Sequence, residues 1–420
     1  MSSQNFNGES SMTGILVSRA GHGMRVACAT TLTAAMVAGF SAGANAATES
    51  VLHAFAGLPD GSGPSSALIA DSSGNLYGAT AYGGTNGQGS VYELSPNGRG
   101  GYTESVIYSF CSLANCADGS YPFFAFGGLN GQLIFDGSGN LYGTTAAGGA
   151  NGAGTVFELS PGANDWVETI LYSFCSQPSC ADSYYPVSGL TFDQSGNLYG
   201  TTAAQGDNAK VYELSPNNGG WTEQVIFGVH DESAGVTVDA QGNVYGIDNY
   251  YSGRVFELSP SGGGWTSKYL YTFTGGKDGS GLNGTLVLDA SGNLYGTTAS
   301  AGSWGCGTAY RLSPWKNGTW KETTLWAQKS KKGCHSYAGL TFDSAGNIYG
   351  TASSGGKYND GVVFELSPSA TKYTETTLWS FDGSDGEDPL TNVMLNGQNI
   401  FGTTFEGGTD NNGVVFELTP

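Results

Sequence analysis

Charge is scarce in this sequence, and positive charge scarcer still. Asp, Glu, Lys and Arg make up 12% of the 420 residues, and 15 Lys and Arg face 35 Asp and Glu. A nucleic-acid partner requires a basic footprint, so that class is excluded. Histidine occurs four times, and neither His230 nor His335 sits in a Ser-His-Asp or metal-binding pattern. No G-x-S-x-G, H-E-x-x-H, phosphate loop or dinucleotide fingerprint occurs, which removes the common signposts of hydrolases, zinc proteases and nucleotide enzymes. After residue 46 no apolar run is long enough to span a bilayer.

Glycine is abundant, at 69 residues, and its placement is regular. G-N-L-Y-G begins at Gly74, Gly139, Gly196 and Gly292, G-N-V-Y-G at Gly242, G-N-I-Y-G at Gly346, and a worn Q-N-I-F-G at Gln398. The mean spacing is about 54 residues, a period of supersecondary units in a solenoid or propeller. Each unit reads as four strands. Strand A resembles S-G-L-T-F-D and covers 66–71, 131–136, 188–193, 234–239, 284–289, 338–343 and 391–396. Strand B is N-L-Y-G-T-T. Strand C is V-F-E-L-S-P, with Phe and Leu on one side and Val and Glu on the other. Strand D resembles T-E-T-T-L-W-S-F. The D-x-x-G-N link between A and B is a tight hairpin turn, in which Asp bonds the backbone ahead and Gly takes positive φ.

A seventh strand D is missing at the C-terminal end, where the sequence stops in the strand C ending at Pro420. It is found at the other end, as Thr48-Glu49-Ser50-Val51-Leu52-His53-Ala54-Phe55. The expected fold is therefore all-β: a seven-bladed β-propeller of four-stranded blades, closed by the N-terminal strand pairing with the C-terminal blade and so hiding two sheet edges. The domain plan is residues 1–46 as an N-terminal extension and signal peptide, and 47–420 as one propeller of seven repeats. Met24-Arg25, an apolar run from Val26 to Phe40 and the A-x-A site Ala44-Asn45-Ala46 carry the signal reading, with Met24 an alternative start.

Export fits the cysteines. Without Cys28 six remain, Cys111, Cys116, Cys175, Cys180, Cys306 and Cys334, and an even number in an exported chain implies disulfides. Cys111–Cys116 and Cys175–Cys180 occupy matching places in neighbouring repeats. Cys306 and Cys334 then remain, and the strand order puts both on one face. The expected location is extracellular or periplasmic.

The combined pattern G-N-L-Y-G-T-T-x-x-G-G, G-x-V-F-E-L-S-P and E-T-x-L-Y-S-F resembles the GloVer tandem repeat of choice-of-anchor bacterial surface proteins, over 48–420. The resemblance implies export and a propeller-like body, and brings no catalytic motif. Members carry varied C-terminal anchors, whereas this sequence ends in Phe416-Glu417-Leu418-Thr419-Pro420.

The D–A and B–C loops emerge on one face, vary most and hold all six cysteines, and variable loops on a rigid scaffold are where function concentrates. They carry Tyr82, Tyr121, Phe123, Phe124, Tyr184, Tyr185, Tyr250, Tyr251, Trp304, Tyr337 and Tyr358. Of these Tyr82, Tyr121, Tyr184, Tyr185, Tyr250, Tyr251, Trp304 and Tyr337 are the candidate ligand-binding residues. Flat rings beside Asp, Asn and Gly suit sugars. Trp166, Trp221, Trp265 and Trp320, at matching positions beside the C–D turns, read as packing. Asp60, Asp118, Asp182, Asp231, Asp278 and Asp385 are expected near the channel mouth, where carboxylates could offer Ca²⁺ its oxygen ligands. Most precede Gly or Ser as in ordinary turns, and no other cofactor is expected. Much of the net charge of −20 belongs to the repeat itself: 18 of the 35 acids recur at three fixed places.

The expected function is a monomeric, non-catalytic binding module for a glycan or protein at the cell surface. The alternatives are a carbohydrate-active enzyme using loop carboxylates, or a structural envelope protein. The strongest departures from the repeat are Arg311 for Glu, Ser267 for Glu and the eroded last unit, and they converge on no known chemistry.

Overall fold

A computed structural model describes residues 47–123, 131–163, 165–203, 209–230, 234–370 and 372–420. The proposed signal segment, Phe124 and Asp231 lie outside the described residues. Seven antiparallel sheets run A-B-C-D, and they are the seven blades. Blade 2 is typical: Ile134–Phe135, Leu141–Ala147, Thr155–Pro161 and Trp166–Ser173. Thr48–Ala54 pairs antiparallel with Val414–Thr419, so the N-terminal strand completes blade 7 and the ring is closed as expected. The described residues contain three short 3-10 turns and no α-helix, hence no helix long and apolar enough to cross a membrane.

The recurring five letters have a mechanical explanation. In the A–B turn of blade 5, Asp289 accepts hydrogen bonds from the Ser291 and Asn293 amides, the Asn293 side chain and the Tyr295 hydroxyl. The same four bonds form on Asp71, Asp136, Asp193, Asp239 and Asp343, the first from whichever residue stands two places on. Asn and Tyr are thus in the motif to hold the turn. Burial pushes the Asp289 carboxyl up, but these donors outweigh it and hold it below the usual carboxylate range. The last Gly of the motif has another task. A Cβ at Gly143 would lie 2.6 Å from the Phe157 ring of strand C, one at Gly296 2.5 Å from the Tyr310 hydroxyl, and one at Gly402 2.4 Å from Phe416. Each blade leaves a notch in strand B for the fully buried ring of strand C.

The two threonines after that Gly divide their work. The first donates to a carbonyl of the next blade: Thr144 to Ser188, Thr201 to Ala234, Thr297 to Ala338 and Thr351 to Thr391. The second pairs with a hydroxyl of strand C, as in Thr145 with Thr155 at 2.8 Å. The apolar core is likewise built between blades, in seven clusters, one per seam; Tyr142 and Val156 of blade 2, for instance, pack with Leu198, Tyr212 and Leu214 of blade 3. Trp166, Trp221, Trp265 and Trp320 lie against these clusters, as packing residues should.

Strand A is shorter than its sequence pattern. In five of the blades it forms a ladder of two residues, as at Thr191–Phe192. Its first half turns elsewhere for partners. The Ser66 hydroxyl takes the Ala79 amide, the Ser188 hydroxyl takes the Thr201 amide, and Ser66–Ala67 pairs in parallel with Gly131–Gln132 of the next blade. This draws the inner strands tightly around the axis. A Cβ on Gly235 would lie 2.5 Å from the Thr285 hydroxyl, and one on Gly284 2.2 Å from the Gly339 nitrogen. Among the described residues the gap there, lined by Ala67, Gln132, Leu190, Thr285 and Asn392 among others, holds about 40 Å³. That is space for very few waters and no sugar.

Gly143→Ala is expected to cost about 1–3 kcal/mol through overpacking. Gly137→Ala, whose Cβ would meet nothing within 4 Å, should be close to neutral. Urea unfolding of the two variants checks the notch.

Candidate functional site on the loop face

The D–A and B–C loops interlock into one surface. The residue that opens each inner strand donates its amide to the B–C loop of the preceding blade: Tyr121 to Gln88, Tyr185 to Ala153, His335 to Cys306 and Asp388 to Asp360. All four hold φ between 53° and 62°, a left-handed conformation uncommon outside glycine. The disulfides Cys111–Cys116, Cys175–Cys180 and Cys306–Cys334 brace these loops in the expected pairing.

Six of the eight exposed aromatics among the described residues are on this face: Tyr82, Tyr185, Tyr250, Tyr251, Trp304 and Tyr358. Tyr82 meets Tyr121 edge to face at 5.8 Å, Tyr184 meets Tyr185 at 4.9 Å, and Tyr250 meets Tyr251 at 4.2 Å. The eight candidates are therefore not one platform but ring pairs distributed among the blades. Trp304 carries the Lys329 ammonium at 4.5 Å. Tyr184 and Tyr337 are half-buried, the former against the core between blades 2 and 3. Phe123 is a correction to the wider aromatic set. It is fully buried and belongs to the core between blades 1 and 2, because Gly131 leaves room for its ring.

The loop acids also differ from expectation. Asp118 accepts bonds from the Tyr108 hydroxyl, the Ser112 amide and hydroxyl and the Leu113 amide. Asp182 repeats the set with Tyr172, Ser176 and Gln177. Asp60, Asp278 and Asp385 are held by His53, Tyr271 and Trp379 with nearby loop amides. Their partners stand on outer strands, so these acids staple loops at the blade seams rather than ring the axis. Each faces a strand D carboxyl of the next blade. Burial first, and then the Asp charge, push Glu168 up to about 8 and Glu49, Glu104 and Glu223 up to about 7. On the loop face itself burial, then Glu406, Glu387 and Asp360, raise Asp388 to about 6.

A dense polar cluster that the sequence reading does not pick out stands in blade 4. Asp248, fully buried, binds Arg254 at 2.5 Å, the Tyr269 hydroxyl at 2.8 Å and the His230 amide at 3.0 Å. The Arg254 guanidinium lies between the rings of Tyr250 and Tyr269, 4.4 and 4.0 Å from their centres. Tyr251 projects beside them, 88% exposed at φ 55°. The signal was present in sequence. Asp248 and Arg254 are register partners at the place where blades 1, 2 and 5 pair Thr80 with Ser90, Thr145 with Thr155 and Thr298 with Thr308. An ion pair has replaced two hydroxyls, and its guanidinium holds two rings in place.

These features define a closed seven-bladed propeller with a sealed axis and an aromatic loop face. The chain belongs to the Gloeobacter/Verrucomicrobia repeat family, whose profile matches residues 28–252 and 211–416. No curated protein sequence matches it. Among solved structures it is similar to a putative 6-phosphogluconolactonase from Bacteroides uniformis, at 15% identity, 77% of this chain and 86% of that chain, with a TM-score of 0.50. A counterpart from Bacteroides fragilis shares 13% identity over 74% and 82%, with a TM-score of 0.48. These likenesses concern the fold alone.

Two outcomes follow. Arg254→Ala would leave Asp248 buried and uncompensated and should cost about 3–5 kcal/mol, whereas Asp248→Thr with Arg254→Thr, copying the other blades, should recover most of it in thermal unfolding. The seam glutamates give the second. Their folded pKa values lie above the ordinary 4.5, so the folded chain binds more protons than the unfolded one between about pH 4.5 and 8, and stability falls as pH rises through that window. The melting temperature should decline from pH 5 to pH 8, and Glu168→Gln should raise it at pH 8 far more than at pH 5.

Proposed function

We propose that this protein is an exported, disulfide-braced propeller that captures glycans on its D–A/B–C loop face without transforming them. The observation that carries this is the concentration of exposed rings there, six of eight, on a body whose axis is closed. Rings stack on the apolar face of a pyranose while neighbouring polar groups take its hydroxyls. Tyr250, Tyr251 and Arg254 form the best-equipped patch, with Tyr185, Tyr82 and Trp304 as further contacts. Three disulfides are at home in an oxidising compartment outside the cytoplasm, and the membership of a bacterial repeat family fits that location.

Glycan-array binding by the purified protein tests the reading. Specific binding is expected, weakened at least about tenfold when Tyr184, Tyr185, Tyr250 and Tyr251 become alanine, since tenfold corresponds to about 1.4 kcal/mol and a ring contact contributes about 0.5–1.5. Tyr251→Ala alone should leave the melting temperature unchanged. Binding to no glycan would overturn the reading and turn attention to a protein partner. Sugar cleavage by the wild type, lost on changing one loop acid, would move the protein to the carbohydrate-active enzymes.

A further inference from the structure

The closing strand carries one residue that the repeat does not. At the position of Tyr108, Tyr172, Phe227, Tyr271, Trp326 and Trp379 in the other outer strands stands His53. Its Nε2 lies 3.1 and 3.3 Å from the two oxygens of Asp60. Glu104, from the outer strand of blade 1, faces the same point, and one ligand atom from each of the three falls within 4.8 Å of the others. All three are half-buried, so the site is sheltered yet reachable from solvent.

The same seam holds buried oxygens without partners. Tyr92 is fully buried, and its hydroxyl, which lies over Gly78 of strand B, has no hydrogen-bond partner. Glu104 Oε1 is also buried without a partner. One imidazole nitrogen and two carboxylates therefore meet here, one of the carboxylates with an unpartnered oxygen, and buried polar groups of this kind are normally satisfied.

The other seams act as internal controls. Where Tyr172 and Tyr271 stand, a phenol donates its proton to the loop Asp, which fills the space a cation would take. Buried phenols without partners recur at Tyr212 and Tyr310, and unpartnered seam carboxylate oxygens at Glu49, Glu168 and Glu223, so neither feature distinguishes the closing seam. The imidazole does. A neutral His can offer a lone pair where Tyr offers a hydrogen.

We propose that His53, Asp60 and Glu104 form a binding site for one divalent transition-metal ion, zinc in the first place, at the seam where the N-terminal strand meets blade 1. Imidazole nitrogen and carboxylate oxygen are both zinc donors, with bonds of about 2.0–2.2 Å, and the tetrahedral edge this implies, roughly 3.4 Å, is close to the His–Asp separation. A fourth position remains for water. Calcium prefers six to eight oxygens and has little use for the imidazole. Because His53 and Asp60 belong to the N-terminal segment and Glu104 to blade 1, the ion would clip the closure that gives the ring its last strand, and binding to the folded state alone would stabilise it.

The test uses the untagged full chain, stripped by a chelator and dialysed against Zn²⁺, Co²⁺ or Ca²⁺, with bound metal counted and the melting temperature recorded. One Zn²⁺ per chain, a raised melting temperature and a tetrahedral Co²⁺ absorption spectrum are expected. His53→Tyr restores the phenol of the neighbouring seams and should fold, while zinc affinity falls at least about tenfold; Glu104→Gln should weaken binding with His53 intact. Equal zinc binding by wild type and His53→Tyr would overturn the assignment, as would less than one equivalent at high micromolar zinc. Retention of Ca²⁺ in preference to Zn²⁺ would overturn the choice of a nitrogen-containing transition-metal site.

Discussion

Everything in this ring depends on one missing carbon. The Gly that ends each five-residue motif lets a Phe or Tyr of strand C sink against strand B, as at Gly78 with Tyr92 and Gly246 with Phe256. Those rings are the largest fully buried side chains of their blades. Once they are sunk, the strand C aliphatics can meet the next blade, and the core becomes a set of seams rather than a central plug. The notch sets blade thickness, and blade thickness sets whether seven of them close. The Thr hydroxyls that reach across to the next inner strand then fix the angle of each step.

The seams also change the meaning of the acidic composition. A formal charge of −20 counts every carboxyl as ionised. Glu49, Glu104, Glu168 and Glu223 face loop aspartates and titrate near neutrality, so the folded protein is less negative at pH 7 than its composition states. These carboxyls recur with the blade and are part of its construction. Their abundance says little about a cationic partner, and the Asp residues opposite them are already committed to stapling loops.

The architecture was legible because repetition multiplies weak signals. Seven copies of a turn, six of an outer strand and a stray copy at Thr48–Phe55 gave blade number and closure, and matching cysteines gave two of the three disulfides. Strand A was overread. Its S-G-L half looks extended, but its Ser hydroxyls and inter-blade bonds replace the ladder, and such partners have no sequence period. Phe123 was taken for a surface ring because nothing local reveals that Gly131 clears a space for it. The ring pairs on the loop face could not be grouped correctly either, since their spacing depends on which blade each loop joins. Asp248 and Arg254 were missed for a different reason: their pairing is a strand-register fact, visible only once B and C are aligned against the Thr pairs of other blades.

In a molecule of seven near-copies, a feature present in every blade is explained by the blade. The turn Asp, the strand C Glu and the seam tryptophans all fall to that argument. What asks for a separate cause is a change that the repeat would not tolerate without compensation. Arg254 is one, because a guanidinium entered a B–C pair built for hydroxyls and brought a buried carboxylate and two rings with it. His53 is the other, because an imidazole took a phenol's place at the one seam that joins the two ends of the propeller. In the first both partners are new to the blade; in the second a new imidazole joins two carboxylates that the repeat already supplies. Function in such a protein is therefore to be sought where symmetry fails locally while the fold does not.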